Sequence, residues 1–208
     1  MIGKTSISHI TEAHTKRDNT DSPGIVVLCT ANVCRSPMGA ALLARRLAGL
    51  GVSVPVRSSG MLCCGEPPYP EVISVMAWYG IEIASHRSRI ARAADLARAS
   101  LVLAMARDSL RYAVTTEPRV WPRTFTLKEM VRRAEQIGPR PPGESFADWL
   151  SRVHEGRQRI SLLGDSLEDD VADPAGGSLR AYADIASLLD QLVSRLAELG
   201  WAHTQPHP

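Results

Sequence analysis

Cys29, five further residues and Arg35, followed at once by Ser36-Pro37, place a sulfur nucleophile, a guanidinium and a helix start around one point. Loop N–H groups between such residues can turn inward as an anion-binding nest. The helix N-terminus adds partial positive charge. Arg35 supplies a two-toothed donor matched to phosphate oxygens. The same field favours a thiolate at Cys29, and the Ser36 hydroxyl can donate to the sulfur and stabilise it again as it leaves. A site that holds either a thiolate or a phosphate is what covalent phosphate-ester hydrolysis requires.

The elements around this segment must hold it still. Ile25-Val-Val-Leu28 is a short, fully apolar, β-branched run, as expected of a strand buried on both faces of a parallel sheet. Ser36-Pro37 opens a helix with a good N-cap and a proline in the first turn, carries Leu43, Leu47 and Leu50 on one face, and ends at Gly51. The pattern repeats. Val52 to Arg57 reads as a strand, Pro70 to Tyr79 and Ala91 to Ala99 as helices, and Leu101 to Ala104 as a buried strand. A helix from Arg107 to about Val114, a strand from Trp121 to Phe125 and a basic amphipathic helix from Leu127 to Ile137 follow. Leu179 to Leu199 is a closing helix with Tyr182 early in its apolar stripe. Such alternation predicts an α/β sheet with right-handed crossovers. Ligands then sit beyond the carboxyl ends of strands, which is where residues 29–35 lie.

The chain has 208 residues, 44% apolar and 22% charged, enough for one domain with a substantial core. Residues 1–22 read as a flexible tail, 23–200 as the domain, 139–164 as an insertion or lid, and 201–208 as a C-terminal tail. Net charge is +2, with basic and acidic residues interspersed, so no nucleic-acid partner is expected. No apolar run is long enough to span a membrane, and the polar N-terminus lacks a signal's apolar stretch. A cytoplasmic location follows. The cysteines, at 29, 34, 63 and 64, do not have zinc-ligand spacing, so no metal and no cofactor is expected; reactive or redox thiols are the better reading.

Cys29-x5-Arg35-Ser36-Pro37 after a buried strand resembles the low-molecular-weight protein-tyrosine phosphatases. Later segments agree in order: Arg57-Ser58-Ser59-Gly60 with the family's Ser-Gly turn, Ser85-His86-Arg87-Ser88-Arg89 with its Ser-His-x-x-Arg segment, Leu103-Ala104-Met105, and Asp173-Pro174 with its general-acid loop. The resemblance implies a three-layer α/β/α sandwich with a four-stranded parallel sheet, order 2-1-3-4, and the phosphate-binding loop after strand 1. It implies that Cys29 attacks phosphorus, that Arg35 clamps the phosphate, and that Asp173 acts as general acid and then base. Thr30, Ala31, Asn32, Val33, Cys34 and Ser36 would line the phosphate site. Asn32 would hold the loop by bonds to Ser58, Ser36 and His86, with His86 structural. Cys34 would be either a packing residue or a reversible disulfide partner of the nucleophile. The implied partner is a phosphorylated protein, most naturally on tyrosine. Val33 resembles the aliphatic residue of tyrosine-directed members, where phosphoarginine-directed members have Thr.

Three positions depart from the family pattern. Ala31 replaces a usual glycine, and if that position needs positive φ the cost is about 1 kcal/mol. Ala175-Gly176 replaces an aromatic pair after Asp-Pro, and Cys64 falls near a further aromatic position. The slot for a phenyl ring is thereby expected to be wider, with Trp149 or Phe146 as candidates to refill it. The acidic run Glu168-Asp169-Asp170 reads as a solvated loop. Two alternatives follow from the same residues. An arsenate reductase of this fold would need a downstream cysteine relay, for which Cys63 and Cys64 are the only candidates. A non-catalytic phosphate-binding regulatory module would be favoured by loss of the nucleophile, Arg or Asp, and all three are present.

Overall fold

The structure is a computed structural model that describes residues 23–62 and 64–202; the expected tail at 1–22, Cys63 and residues 203–208 lie outside the described residues. Four strands, β1 (Ile25–Leu28), β2 (Val56–Ser59), β3 (Leu101–Ala104) and β4 (Thr124–Thr126), form one parallel sheet in the order β2-β1-β3-β4. β1 and β3 are buried along their whole length, as their continuous apolar runs require of central parallel strands.

Helices cover both faces. On one side lie α1 (Arg35–Gly49), α2 (Pro70–Trp78), α5 (Leu127–Ile137), α6 (Phe146–His154) and α7 (Leu179–Trp201), whose apolar residues join Ile25, Val27, Leu101, Leu103 and Phe125 in one core. On the other, α3 (Ala93–Arg98), α4 (Arg107–Thr116) and a 3-10 turn at Pro118–Arg123 cover Val26, Leu28 and Val102 through a smaller core. The result is the three-layer sandwich in the expected order. No described helix is long and apolar enough to cross a membrane.

Several boundaries differ from the sequence expectation for identifiable reasons. β2 starts at Val56 rather than Val52. The Val52 N–H closes the end of α1 on Leu47 O, and Pro55 has no N–H but accepts from Ile25 N through its carbonyl. Pairing can begin only afterwards. The strand expected over 121–125 is displaced to 124–126, because Pro118 and Pro122 fold the preceding residues into the 3-10 turn. α7 continues through the buried Trp201, so the helix runs two residues past the expected Leu199.

The segment 139–164 is packed structure beside β4. Ser145 caps α6 through its hydroxyl, accepting from Asp148 N. Trp149 and Val153 reach the main core at 0% exposure, and Trp149 Nε1 donates to Gly138 O. Beyond α6, Arg157 lies between the Trp121 and Phe125 rings, 4.0 Å from each centroid, and pairs bidentately with Glu129 at 2.7 and 2.9 Å. Neither Trp149 nor Phe146 reaches the loop after β1. Phe146 stacks on Trp201 at 4.5 Å, so the expectation that either refills a substrate slot is not met. Trp149→Ala should therefore destabilise the whole domain by about 3–5 kcal/mol in urea or guanidinium unfolding, because it empties a fully buried site.

Candidate active site

The loop 29–34 leaves β1 and runs directly into α1. Met38 N already donates to Cys34 O, so the helix begins at Arg35, one residue before the expected Ser36 cap. No side chain caps this helix, and its first turn carries no acid. Its N-terminal amides and positive dipole end are thus left to whatever sits beside the loop. The Ser36 hydroxyl turns instead to Cys29 Sγ, 3.0 Å away.

Cys29 is buried, at 3% exposure, and Asn32 N donates to its sulfur at 3.3 Å. That orientation requires Asn32 to adopt φ 58°, the only left-handed non-glycine conformation among the described residues. The strained position is thus Asn32 and not Ala31. Asparagine tolerates it better than most residues. Asn32 Nδ2 donates to Ser36 Oγ at 2.9 Å, its Oδ1 accepts from Arg89 N at 3.0 Å, and its carbonyl accepts from His86 Nε2 at 2.8 Å. His86 Nε2 therefore carries a hydrogen, since a carbonyl can only accept. Ser58 enters this shell through its carbonyl, which accepts from Arg89 Nε at 2.9 Å. Gly60 packs so closely under the loop that a Cβ would lie 2.9 Å from Thr30 O and 3.0 Å from Asn32 Cβ. Only glycine fits there.

Arg35 and Asp173 meet. Arg35 NH2 donates to Asp173 Oδ2 at 2.6 Å and to Thr30 Oγ1 at 3.4 Å, while NH1 donates to Val171 O at 3.0 Å. The other Asp173 oxygen accepts from Ala175 N at 3.2 Å. The carboxylate thus engages the cation expected to clamp phosphate. Cys29, Ala31, Val33, Cys34, Arg35, Asp173 and Ala175 line one small pocket, together with Tyr69. Its volume of about 30 Å³ holds roughly two waters. The Arg35 nitrogen that faces this pocket is occupied by Asp173.

Tyr69 was not singled out by sequence, hidden in the run Pro67-Pro68-Tyr69-Pro70 ahead of α2. Its N–H donates to Val33 O at 3.3 Å, and its ring packs edge-to-face on Tyr182 at 6.4 Å. Tyr182, buried and bonded to the Gly176 backbone, is raised in pKa by burial and then by Cys34. Gly176 has φ 76°, which favours glycine in the Asp173 loop. Cys34 is 4% exposed; burial, then the negative charge of Asp173 and then Cys29, push its thiol far above the ordinary range, with Arg35 opposing.

The acidic run before Asp173 is solvated at Glu168, as expected, but not at Asp169 and Asp170. Asp169 is 4% exposed and accepts from Arg107 at 2.8 and 3.2 Å and from Arg132 at 2.8 Å. Asp170 Oδ1 accepts from Arg107 N at 2.8 Å, and Val171 N donates to Met105 O at 2.7 Å. These bonds fasten the strand of chain that delivers Val171 O and Asp173 to Arg35. No cluster of three metal-ligating side chains occurs among the described residues.

Comparison with known proteins bears on this geometry. Residues 24–140 match the family described as low molecular weight phosphotyrosine protein phosphatase. The chain is 35% identical over 144 residues to a probable low molecular weight protein-tyrosine-phosphatase, EpsP, of Ralstonia solanacearum, a match covering 67% of this chain and 97% of that one. It is 31% identical over 176 residues to a protein-arginine-phosphatase of Geobacillus stearothermophilus, covering 84% of this chain and 93% of that one. A solved structure of a YwlE arginine phosphatase, a cysteine-to-serine mutant with its active-site serine phosphorylated, matches with TM-score 0.64 at 26% identity, covering 84% of this chain and 93% of that one.

Asp169 gives a pH-dependent prediction. Burial alone would raise its pKa, but hydrogen bonds from Arg107 and Arg132 outweigh that and hold the carboxyl below its ordinary 3.8. A depressed folded-state pKa contributes stability that is complete above the ordinary value and lost as pH falls below it. Asp169→Asn should cost about 2 kcal/mol at neutral pH. The gap between variant and wild type should close in unfolding titrations carried below pH 3.8.

Proposed function

Because the chain belongs to the low molecular weight phosphotyrosine protein phosphatase family, whose chemistry runs through a phosphocysteine, we propose that it hydrolyses phosphotyrosine in proteins with Cys29 as nucleophile, Arg35 as clamp and Asp173 as general acid and base. The observation that carries this reading is the convergence on one pocket of the Cys29 sulfur, the uncapped start of α1, Arg35 and Asp173.

Substrate entry exchanges partners. The phosphate dianion replaces Asp173 on Arg35 and takes up the loop amides, while Asp173 is freed toward the leaving oxygen. Released from Arg35, the carboxyl stands where a general acid for the leaving oxygen is needed. Cys29 Sγ then attacks phosphorus in line. The S–P bond forms as the P–O bond to the leaving group breaks, and the proton of Asp173 passes to that oxygen. A water next attacks the phosphocysteine, Asp173 takes its proton, and the sulfur departs as thiolate. Ser36 suits both states. With Asn32 donating to its oxygen, its single proton must go either to Cys29 Sγ at 3.0 Å or to Ser59 O at 3.4 Å. The first stabilises the thiolate, and the second accepts the proton once sulfur is esterified.

Phosphotyrosine is favoured over phosphoarginine by the walls, which are Val33, Ala175 and Tyr69, apolar or aromatic. A phosphoarginine would bring a guanidinium here, and Asp173 is the one carboxylate among the described lining residues. Tyr69 takes up the ring-gripping task that positions 64, 175 and 176 do not perform. Burial and a protonated thiol support packing as the role of Cys34, since attack on an oxidised partner needs the thiolate. The free thiols of Cys29, Cys34 and Cys64 fit a reducing, cytoplasmic setting.

Cys29→Ser should abolish turnover of an aryl phosphate. Asp173→Asn should lower kcat by roughly 10²–10³-fold and tighten orthovanadate binding, because the competing carboxylate is gone. An unchanged kcat would move the acid role elsewhere. Tyr69→Ala should raise KM for phosphotyrosine peptide by about 2–10-fold and leave that for a small alkyl phosphate nearly unaltered. Faster turnover of phosphoarginine than of phosphotyrosine peptide would overturn the substrate assignment.

A further inference from the structure

The chain that carries Asp173 is held at three successive residues before it reaches the pocket. Asp169 accepts from Arg107 at 2.8 and 3.2 Å on one oxygen and from Arg132 at 2.8 Å on the other. Asp170 accepts from Arg107 N at 2.8 Å and from Ser166 N at 3.2 Å, one with each oxygen. Val171 N donates to Met105 O at 2.7 Å, and Val171 O accepts from Arg35 at 3.0 Å. Ala172 and Asp173 are then exposed. Two residues of extended chain reach at most about 7 Å, so where residues 169–171 are held decides where the Asp173 carboxyl can go.

The restraint at Asp169 is shared between layers. Arg107 opens α4 just past β3, and Arg132 stands in the second turn of α5, just past β4. α4 covers one face of the sheet and α5 the other, so Asp169 bridges the two layers beyond the strand ends. The two cations differ in grip. Arg107 is 20% exposed and donates twice, whereas Arg132 is 37% exposed and divides one nitrogen between Asp169 and Glu168, the latter at 2.9 Å. Without Arg132 the Asp169 carboxylate keeps a charged partner, and Asp170 and Val171 keep their bonds. The base of the loop then pivots on Arg107 alone.

We propose that Arg132 is a positioning residue for proton transfer: through Asp169 it holds the loop base so that Asp173, once off Arg35, meets the leaving oxygen. This rests on Asp173 being the general acid. A proton donor must stand within hydrogen-bond reach as the P–O bond breaks, and a misplacement of about 1 Å can cost up to about 100-fold in rate. The bonds that orient Cys29 and Asn32 come from Ser36, His86 and Arg89, so attack by the sulfur is left as it was.

The test compares kcat/KM for phenyl phosphate, whose leaving oxygen needs a proton, with that for dinitrophenyl phosphate, whose leaving oxygen departs as an anion. Arg132→Met keeps the aliphatic stem. It should lower the phenyl value by about 10-fold and the dinitrophenyl value by less than about 2-fold. A smaller folded fraction lowers both values alike, so their ratio reads proton delivery. Should Arg132→Met not fold, Asp169→Asn is read by the same ratio, and a selective loss there upholds the proposal. Equal losses on the two esters, or no loss on either, would overturn it. Asp173→Asn separates the two levels of the reading. If that variant also fails to discriminate between the esters, Asp173 is not the acid and both assignments fall; if it discriminates and Arg132→Met does not, the role of Arg132 alone falls.

Discussion

One backbone residue governs the geometry of the pocket. For an amide to face a sulfur three residues back, the chain must turn sharply, and it does so at Asn32 with φ 58°. A left-handed non-glycine residue costs about 1–2 kcal/mol, so it persists only where its surroundings over-determine it. Here they do. Asn32 is wholly buried, and its carbonyl, side-chain oxygen and side-chain nitrogen are taken by His86, Arg89 and Ser36. Gly60 lets the β2 turn press against the loop from beneath. The Ser-His-x-x-Arg segment is thus a brace, and through it the edge of the sheet sets the direction of one N–H.

The second constraint is electrostatic. A guanidinium and an uncapped helix start face the pocket, and Asp173 supplies negative charge beside them. Asp173 lies 2.6 Å from Arg35, with Asp169 and Asp170 fastening the same stretch of chain to Arg107 and Arg132. Two sets of ion pairs differ in kind. The Asp169 cage is 6% exposed at the carboxylate and serves as anchorage, while Asp173 is 47% exposed and sits where solvent can reach it. A buried, multiply bonded pair resists separation and an exposed pair separates easily. The loop is therefore fixed at its base and exchangeable at its tip.

Much of this was legible in the residues. Continuous apolar runs gave β1 and β3 at their observed bounds, and Leu127 to Ile137 gave α5, because periodicity and burial act along the chain itself. Cys29, Arg35 and Asp173 came from spacing and from the family resemblance, and the structure brings them to one pocket. What was missed depends on contacts between distant segments. A carboxylate run looks solvated until Arg107 and Arg132, many residues earlier, are seen to enclose Asp169. Tyr69 between prolines looks like a turn residue until its ring is found against Tyr182. Trp149 and Phe146 look available for a pocket, yet Trp149 is wholly buried in the core and Phe146 stacks on Trp201. Ala31 drew attention as a substitution, but the demand for positive φ falls one residue later.

In the proposed reaction Arg35 changes partners, from the carboxylate of Asp173 to an oxyanion bonded at Cys29. A crystal structure of the protein with orthovanadate tests this most directly. It should show vanadium bonded to Cys29 Sγ, its equatorial oxygens on Arg35 and the loop amides, and Asp173 moved off Arg35 toward the apical oxygen. Vanadate bound elsewhere with the Arg35–Asp173 pair intact would contradict it.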